Sequence, residues 1–210
     1  MDYAQQLAFF ANILEQKRLV TALEGNASMI DRNAGLTYIT PSGRMKLLLQ
    51  KEDISVMGEN GTQVGGRGKR SSEYLLHEAV YRTRPDVNAV VHCHCPYLTA
   101  YALRYQDFIV PENCSLHAVF RRFVCLPYGK NGTHEIHRGI ETALSDSPVC
   151  LLGGHGVVCV SNFHGKLYRA AGSSGGAGKD TVAGGADLGI CRGRCQHRPV
   201  RQLRPRRRFS

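Results

Sequence analysis

No stretch of this 210-residue chain approaches the roughly 20 consecutive apolar residues needed to cross a bilayer. Its start also lacks the uninterrupted apolar region and small-residue cleavage site of a secretory signal. Asp2, Glu15, Lys17 and Arg18 break up MDYAQQLAFFANILEQKRLV, which reads as an amphipathic helix. A Cys-x-x-Cys pair is missing among the eight cysteines, and Cys150 and Cys159 sit in apolar runs where a thiol behaves as a small buried hydrophobe. Without a secretory signal, reduced thiols and a cytoplasmic location are expected. Cys191, Cys195 and His197 come nearest to a zinc fragment, but no structural signals surround them.

The body of the chain lacks net charge. The whole carries +10, yet residues 163–210 hold 11 of the 27 Lys and Arg and only Asp180 and Asp187 of the 17 Asp and Glu. The first 162 residues therefore hold 16 basic and 15 acidic groups. A specific nucleic-acid surface would need its basic residues on a folded face, which disfavours that class of function. The length suits one sizeable core better than two full domains.

What is present reads as alternating strands and helices. Residues 3–20 form a helical pattern with Leu7, Phe10, Ile13 and Leu14 on one face. Strand patterns are expected at 37–40 and 53–57, with turns at Gly25-Asn26-Ala27-Ser28 and Pro41-Ser42-Gly43 and a Gly-rich run over 58–68. Ser71 or Ser72 caps a second helix whose stripe is Leu75, Leu76, Ala79 and Val80, stopped by Pro85. A strand over 89–94 precedes a helix opened by Pro96. A β-rich stretch near 108–127, a helix over 134–144 and strands at 149–152 and 157–160 complete a layered α/β domain.

The chemistry concentrates in His92-Cys93-His94. Side chains alternate along a strand, so the two imidazoles project together while Cys93 and Cys95 face the other way. Their Cα atoms would lie about 6.5–7 Å apart, close enough to converge on one cation. His155, between glycines on a tight turn, is the candidate third nitrogen; hydrogen-bonded strand histidines are the alternative. Glu73 opens the helix before this strand, where the helix dipole alone explains a carboxylate, but one beside a metal-bound substrate can also move a proton α to a carbonyl. Ser71 and Ser72 at the same helix start offer an anion site or simple caps, and the turns at Gly25-Asn26 and Ser42-Gly43 offer further amides.

Five motifs in order carry a resemblance: GNAS at 25–28, ITPSG at 39–43, SSE at 71–73, RPDVNAVVHCH at 84–94 and LLGGHG at 151–156. Together they resemble the class II aldolase/adducin family over about residues 1–162. The resemblance implies a three-layer α/β domain with a central, largely antiparallel sheet flanked by helices. It implies a zinc or other divalent ion on His92, His94 and His155, and a phosphate held by Gly25, Asn26, Ser42, Gly43, Ser71 and Ser72. Glu73 would be the acid/base of an aldolase that cleaves a phosphorylated ketose into a dihydroxyacetone-phosphate-like product and an aldehyde. Family epimerases tend to carry Asp at that position, so glutamate favours the lyase, with a 4-epimerase or a dehydratase as alternatives. Tyr128 falls near the tyrosine that family aldolases use, across a subunit boundary, to protonate the leaving aldehyde; an exposed loop tyrosine is the other reading. A homotetramer with sites at subunit borders is implied, with no membrane partner. A non-catalytic adducin-like binding module is disfavoured, because such a relative has no need of the histidine trio and Glu73.

After Asn162 the resemblance stops. The family continues into a long amphipathic helix, whereas residues 163–210 are rich in Gly, Ala and Arg with no helical period. A disordered basic tail is one explanation. The other is a one-nucleotide reading-frame slip near Asn162–Phe163. Back-translated and read one nucleotide later with suitable synonymous codons, Gly175–Leu188 permits a helix with an apolar stripe, and sequencing the coding DNA decides between the two.

Overall fold

Asp2 starts the first helix by accepting from the Gln5 N–H at 2.7 Å through Oδ1, so α1 runs Tyr3–Gln16. It stops short of residue 20 because Arg18 takes a left-handed φ of +58°, which no helix continues through. A computed structural model describes residues 2–162 apart from 115, 116, 118 and 119; the expected tail and its reading-frame alternative lie outside the described residues.

The strands are β1 (Asn26–Asp31), β2 (Leu36–Ile39), β3 (Ser55–Met57), β4 (Gln63–Gly65), β5 (Ala89–Cys93), β6 (Phe108–Ile109), β7 (Arg122–Phe123), β8 (Cys125–Leu126), β9 (Val149–Leu152) and β10 (Gly156–Ser161). Eight of them form one sheet in the order β4-β3-β2-β1-β5-β10-β9-β8, antiparallel throughout except for the β8–β9 pair. β6 and β7 pair separately. The remaining helices are α2 (Tyr74–Thr83), α3 (Pro96–Leu103) and the short α4 (Ile140–Ala143).

Strand alternation sorts the sheet into two cores. On one face Met29, Cys93, Leu151 and Val157 pack against Leu7, Ala11 and Leu14 of α1 and Leu98 and Ala102 of α3. On the other, Val90, Cys150, Leu152, Val158 and Val160 meet Leu76, Ala79 and Val80 of α2 and Ile140 and Ala143 of α4. This is the expected helix–sheet–helix layering. Each fully buried Leu or Val contributes about 1.5–3 kcal/mol relative to exposure. The helix expected over 134–144 is instead a 3₁₀ turn at His134–His137 followed by α4. Gly139, at φ +84°, breaks it. No helix among the described residues is long and apolar enough to cross a membrane.

Two arginines fix the C-terminal end of α2, and with it the position of the whole helix. Arg32 Nη2 donates to the carbonyls of Tyr81, Arg84 and Val87 at 2.9–3.3 Å. Arg84 pairs with Asp86 at 2.6 Å, which holds the Asp86 carboxyl below its ordinary range, and its Nη1 donates to Leu144 O at 2.7 Å. Truncating Leu76, which is fully buried under α2, to Ala is expected to cost about 2–5 kcal/mol in denaturant unfolding. A loss below about 1 kcal/mol would contradict this packing.

Candidate metal centre

Register decides where the histidines lie. β5 sits between β1 and β10, with His92 opposite both Asn26 and Val158. The C-terminal end of β5 therefore lies beside the N-terminal ends of both neighbours. His94 follows directly on β5. His155 sits in the tight turn joining β9 to β10, where its N–H donates to Leu152 O at 3.0 Å and Gly154 takes a φ of +70°. The three rings approach to centroid distances of 4.6, 4.8 and 5.0 Å. Gly156 makes this possible: a Cβ there would lie 2.6 Å from His94 Cδ2 and 3.0 Å from His92 Cε1.

This donor set suits a divalent cation. One nitrogen from each of His92, His94 and His155 can be chosen so that all lie within 4.8 Å of one another, and His92 Nε2 is 3.0 Å from His94 Nε2. The His92 Nδ1–H donates to Val157 O at 3.0 Å, which leaves the Nε2 lone pair facing the cluster. His155 Nδ1 is buried and has no hydrogen-bond partner. Burial pushes His92 well below its ordinary range, with the charges of His155 and His94 adding, and burial lowers His155 as well. Neutral imidazole is the form that binds metal.

Glu73 closes the cluster. Its Oε2 is 3.4 Å from His92 Nε2 and its Oε1 is 3.4 Å from His155 Nε2. The carboxylate is buried just ahead of α2, where Ser71 Oγ accepts from the Glu73 N–H at 3.2 Å.

A cavity of about 230 Å³ opens over this group. It is lined by Gly25, Asn26, Ser42, Gly43, Ser71 and Ser72, together with Glu73 and the three histidines. The two serine turns are tied to each other: the Ser72 N–H donates to Ser42 Oγ at 3.2 Å, and the Ser42 N–H to Lys69 O at 2.9 Å. Gly25 holds a φ of +75°, and a Cβ there would come 2.6 Å from Val20 Cγ1. Tyr128 is not part of the lining. It is 60% exposed on the loop after β8, close to Gly154.

Sequence patterning missed several neighbours of this cavity. Glu24 Oε2 lies 3.7 Å from His94 Nδ1, and Asn131 Nδ2 lies 3.5 Å from His155 Nε2. Asn26 is held by two partners: its Nδ2 donates to Glu73 Oε2 at 2.7 Å, and its Oδ1 is 2.5 Å from His77 Nε2. His77 and Tyr81 follow Glu73 at steps of four on α2, a polar line through an apolar helix that was visible in the sequence.

Residues 5–172 match the sequence profile described as the Class II Aldolase and Adducin N-terminal domain. The chain belongs to this family. The 5-deoxy-D-ribulose 1-phosphate aldolase of Bacillus thuringiensis serovar kurstaki is 30% identical over 159 residues, 75% of this chain and 74% of that protein. An L-ribulose-5-phosphate 4-epimerase of Salmonella typhi is 39% identical over 103 residues, 49% of this chain and 45% of its own length. A solved L-fuculose 1-phosphate aldolase superposes with a TM-score of 0.72 at 30% identity, covering 80% of this chain and 79% of that one. The chain thus shares the class II aldolase fold with relatives that are named as sugar-phosphate aldolases and as an epimerase.

Burial holds His77 at about 3, against 6.5 for an ordinary histidine. Below pH 6.5 the unfolded chain takes up a proton that folded His77 refuses, so this contribution is full above pH 6.5 and shrinks as pH falls towards 3. The expected slope is about 1.4 kcal/mol per pH unit. Unfolding free energies of the wild type and His77→Gln between pH 6 and 4 should differ in slope by that amount; parallel curves would contradict it.

Proposed function

We propose that this protein is a metal-dependent aldolase that cleaves a phosphorylated ketose into a dihydroxyacetone-phosphate-like product and an aldehyde. The observation that carries the reading is the contact of Glu73 with both His92 and His155 on the floor of a polar cavity. In this proposal His92, His94 and His155 hold the ion. Three neutral nitrogens with open positions favour zinc. When bound, the ion supplies a Lewis acid for the charge that develops on the substrate oxygens as the carbon–carbon bond breaks.

The chain's own groups do the rest. Gly25, Asn26, Ser42, Gly43, Ser71 and Ser72 hold the phosphate. Among the described residues the lining contains no Lys or Arg, so the grip comes from neutral amides and hydroxyls. That remote contact fixes the reacting carbons against Glu73. In cleavage, the bond between the third and fourth carbons breaks, the hydroxyl on the fourth carbon gives up its proton, and Glu73 delivers a proton to the third carbon. In condensation Glu73 takes that proton back. Tyr128, exposed in one protomer, serves the aldehyde oxygen in the site of a neighbour within a homotetramer. In this proposal residues 1–162 form the catalytic unit, and the enzyme works in the cytoplasm.

The epimerase relative favours one second reading: 4-epimerisation, which breaks and remakes the same bond without releasing the halves. Product analysis separates them, because only a lyase releases free aldehyde.

Metal analysis and a panel of ketose 1-phosphates test the proposal. His92→Ala should lose both the ion and turnover. Glu73→Gln should keep the ion and lose roughly 10²–10⁴-fold in turnover. Equal metal content in the wild type and His92→Ala would remove the basis of the reading.

A further inference from the structure

Behind Glu73 runs an unbroken line of polar groups, half-buried at Asn26 and buried beyond it. Asn26 Nδ2 donates to Glu73 Oε2 at 2.7 Å, and Asn26 Oδ1 meets His77 Nε2 at 2.5 Å. His77 Nδ1 meets Ser28 Oγ at 2.6 Å, and Ser28 Oγ meets Tyr81 OH at 2.7 Å. His77 is completely buried, Ser28 is 1% exposed and Tyr81 4%. Burial keeps the imidazole neutral, at about 3, and pushes the Tyr81 phenol well above its ordinary range. A neutral imidazole has one N–H and one lone pair, so each bond in the line constrains the next.

Only one direction satisfies every group. A carboxylate accepts and cannot donate, so Asn26 must turn its NH₂ to Glu73 and its carbonyl to His77. His77 must then carry its proton on Nε2, which leaves Nδ1 to accept from the Ser28 hydroxyl. Ser28 in turn accepts from Tyr81. Every donor therefore points towards Glu73, and bonds aligned in this way strengthen one another at low local dielectric. Apolar residues at the contact of α2 with β1 would avoid the desolvation cost of three buried polar groups. The line needs a further reason, and Glu73 stands at its end.

We propose that His77 is a positioning residue: held as the Nε2–H tautomer by Ser28 and Tyr81, it fixes the Asn26 carboxamide so that Glu73 presents its carboxylate to the reacting carbon in one orientation. The proposal rests on the reading of Glu73 as the acid/base. Removing the His77 donor leaves Asn26 Oδ1 unpaired and its amide free to rotate, which sets an acceptor against Glu73. The loss should then fall mainly on the proton-transfer step, with KM changed less than turnover and the metal ligands untouched.

Two measurements on the full-length chain test it. Nitrogen NMR of the histidine side chains should find the His77 ring neutral, with its proton on Nε2 and a bare Nδ1; a proton on Nδ1 would overturn the inference whatever the activity. Exchange of the carbon-bound hydrogens of dihydroxyacetone phosphate with deuterated water should slow about 10–100-fold in His77→Leu, with a smaller change in KM and equal metal content. His77→Gln, which keeps an N–H towards Asn26, should recover most of that rate. It also keeps the comparison available if the leucine variant does not fold. Wild-type exchange in His77→Leu beside a dead Glu73→Gln sinks the relay alone. Undiminished exchange in Glu73→Gln sinks the acid/base reading and the relay with it.

Discussion

The antiparallel pairing of β5 between β1 and β10 is the constraint on which the rest depends. Residues distant in sequence meet because the C-terminal end of one strand must lie beside the N-terminal ends of its neighbours. Asn26 opposite His92, and Val158 opposite the same histidine, fix the frame. Sliding either pairing by one residue would turn His92 into the apolar core formed with α1 and α3. The chemistry is thus a consequence of register, and register is held by alternating apolar residues such as Val90 and Val158 on one face and Cys93 and Val157 on the other.

At this end of the central strands the chain concentrates groups that would cost free energy anywhere else in its interior. His92, Glu73, Ser28 and His77 are all buried. Each is matched by a specific partner: a backbone carbonyl for His92, an amide for Glu73, a hydroxyl for His77. The exception is His155 Nδ1, which is buried and unbonded. The ring's other nitrogen, Nε2, is the one that lies beside Glu73, at 3.4 Å from its Oε1.

Much of this was legible in the sequence. The alternation of His92-Cys93-His94 gave the correct faces, and the glycines around His155 marked its turn. The serine and Gly-Asn turns were identifiable by residue type, and all six of their singled-out residues line the cavity. Local pattern failed where tertiary geometry decides. Gly139 splits the expected helix over 134–144 through a left-handed φ that composition alone does not reveal. The bonds of Asn26 to Glu73 and His77 depend on β1 lying against α2, a contact between residues about fifty positions apart. Glu24 and Asn131 reach the cavity from loops with no periodicity to read. The i, i+4, i+8 line of Glu73, His77 and Tyr81 was in plain view, but a helical polar stripe gains meaning only when something polar faces it.

The central claim is that three imidazoles from two separate parts of the chain share one ion within reach of Glu73. Anomalous scattering from crystals of the zinc-loaded protein measures this directly. The account requires a single strong peak at about 2.0–2.1 Å from one nitrogen of each of His92, His94 and His155. A peak held by other residues, or a His155 ring turned away from an ion on the remaining two, would contradict it.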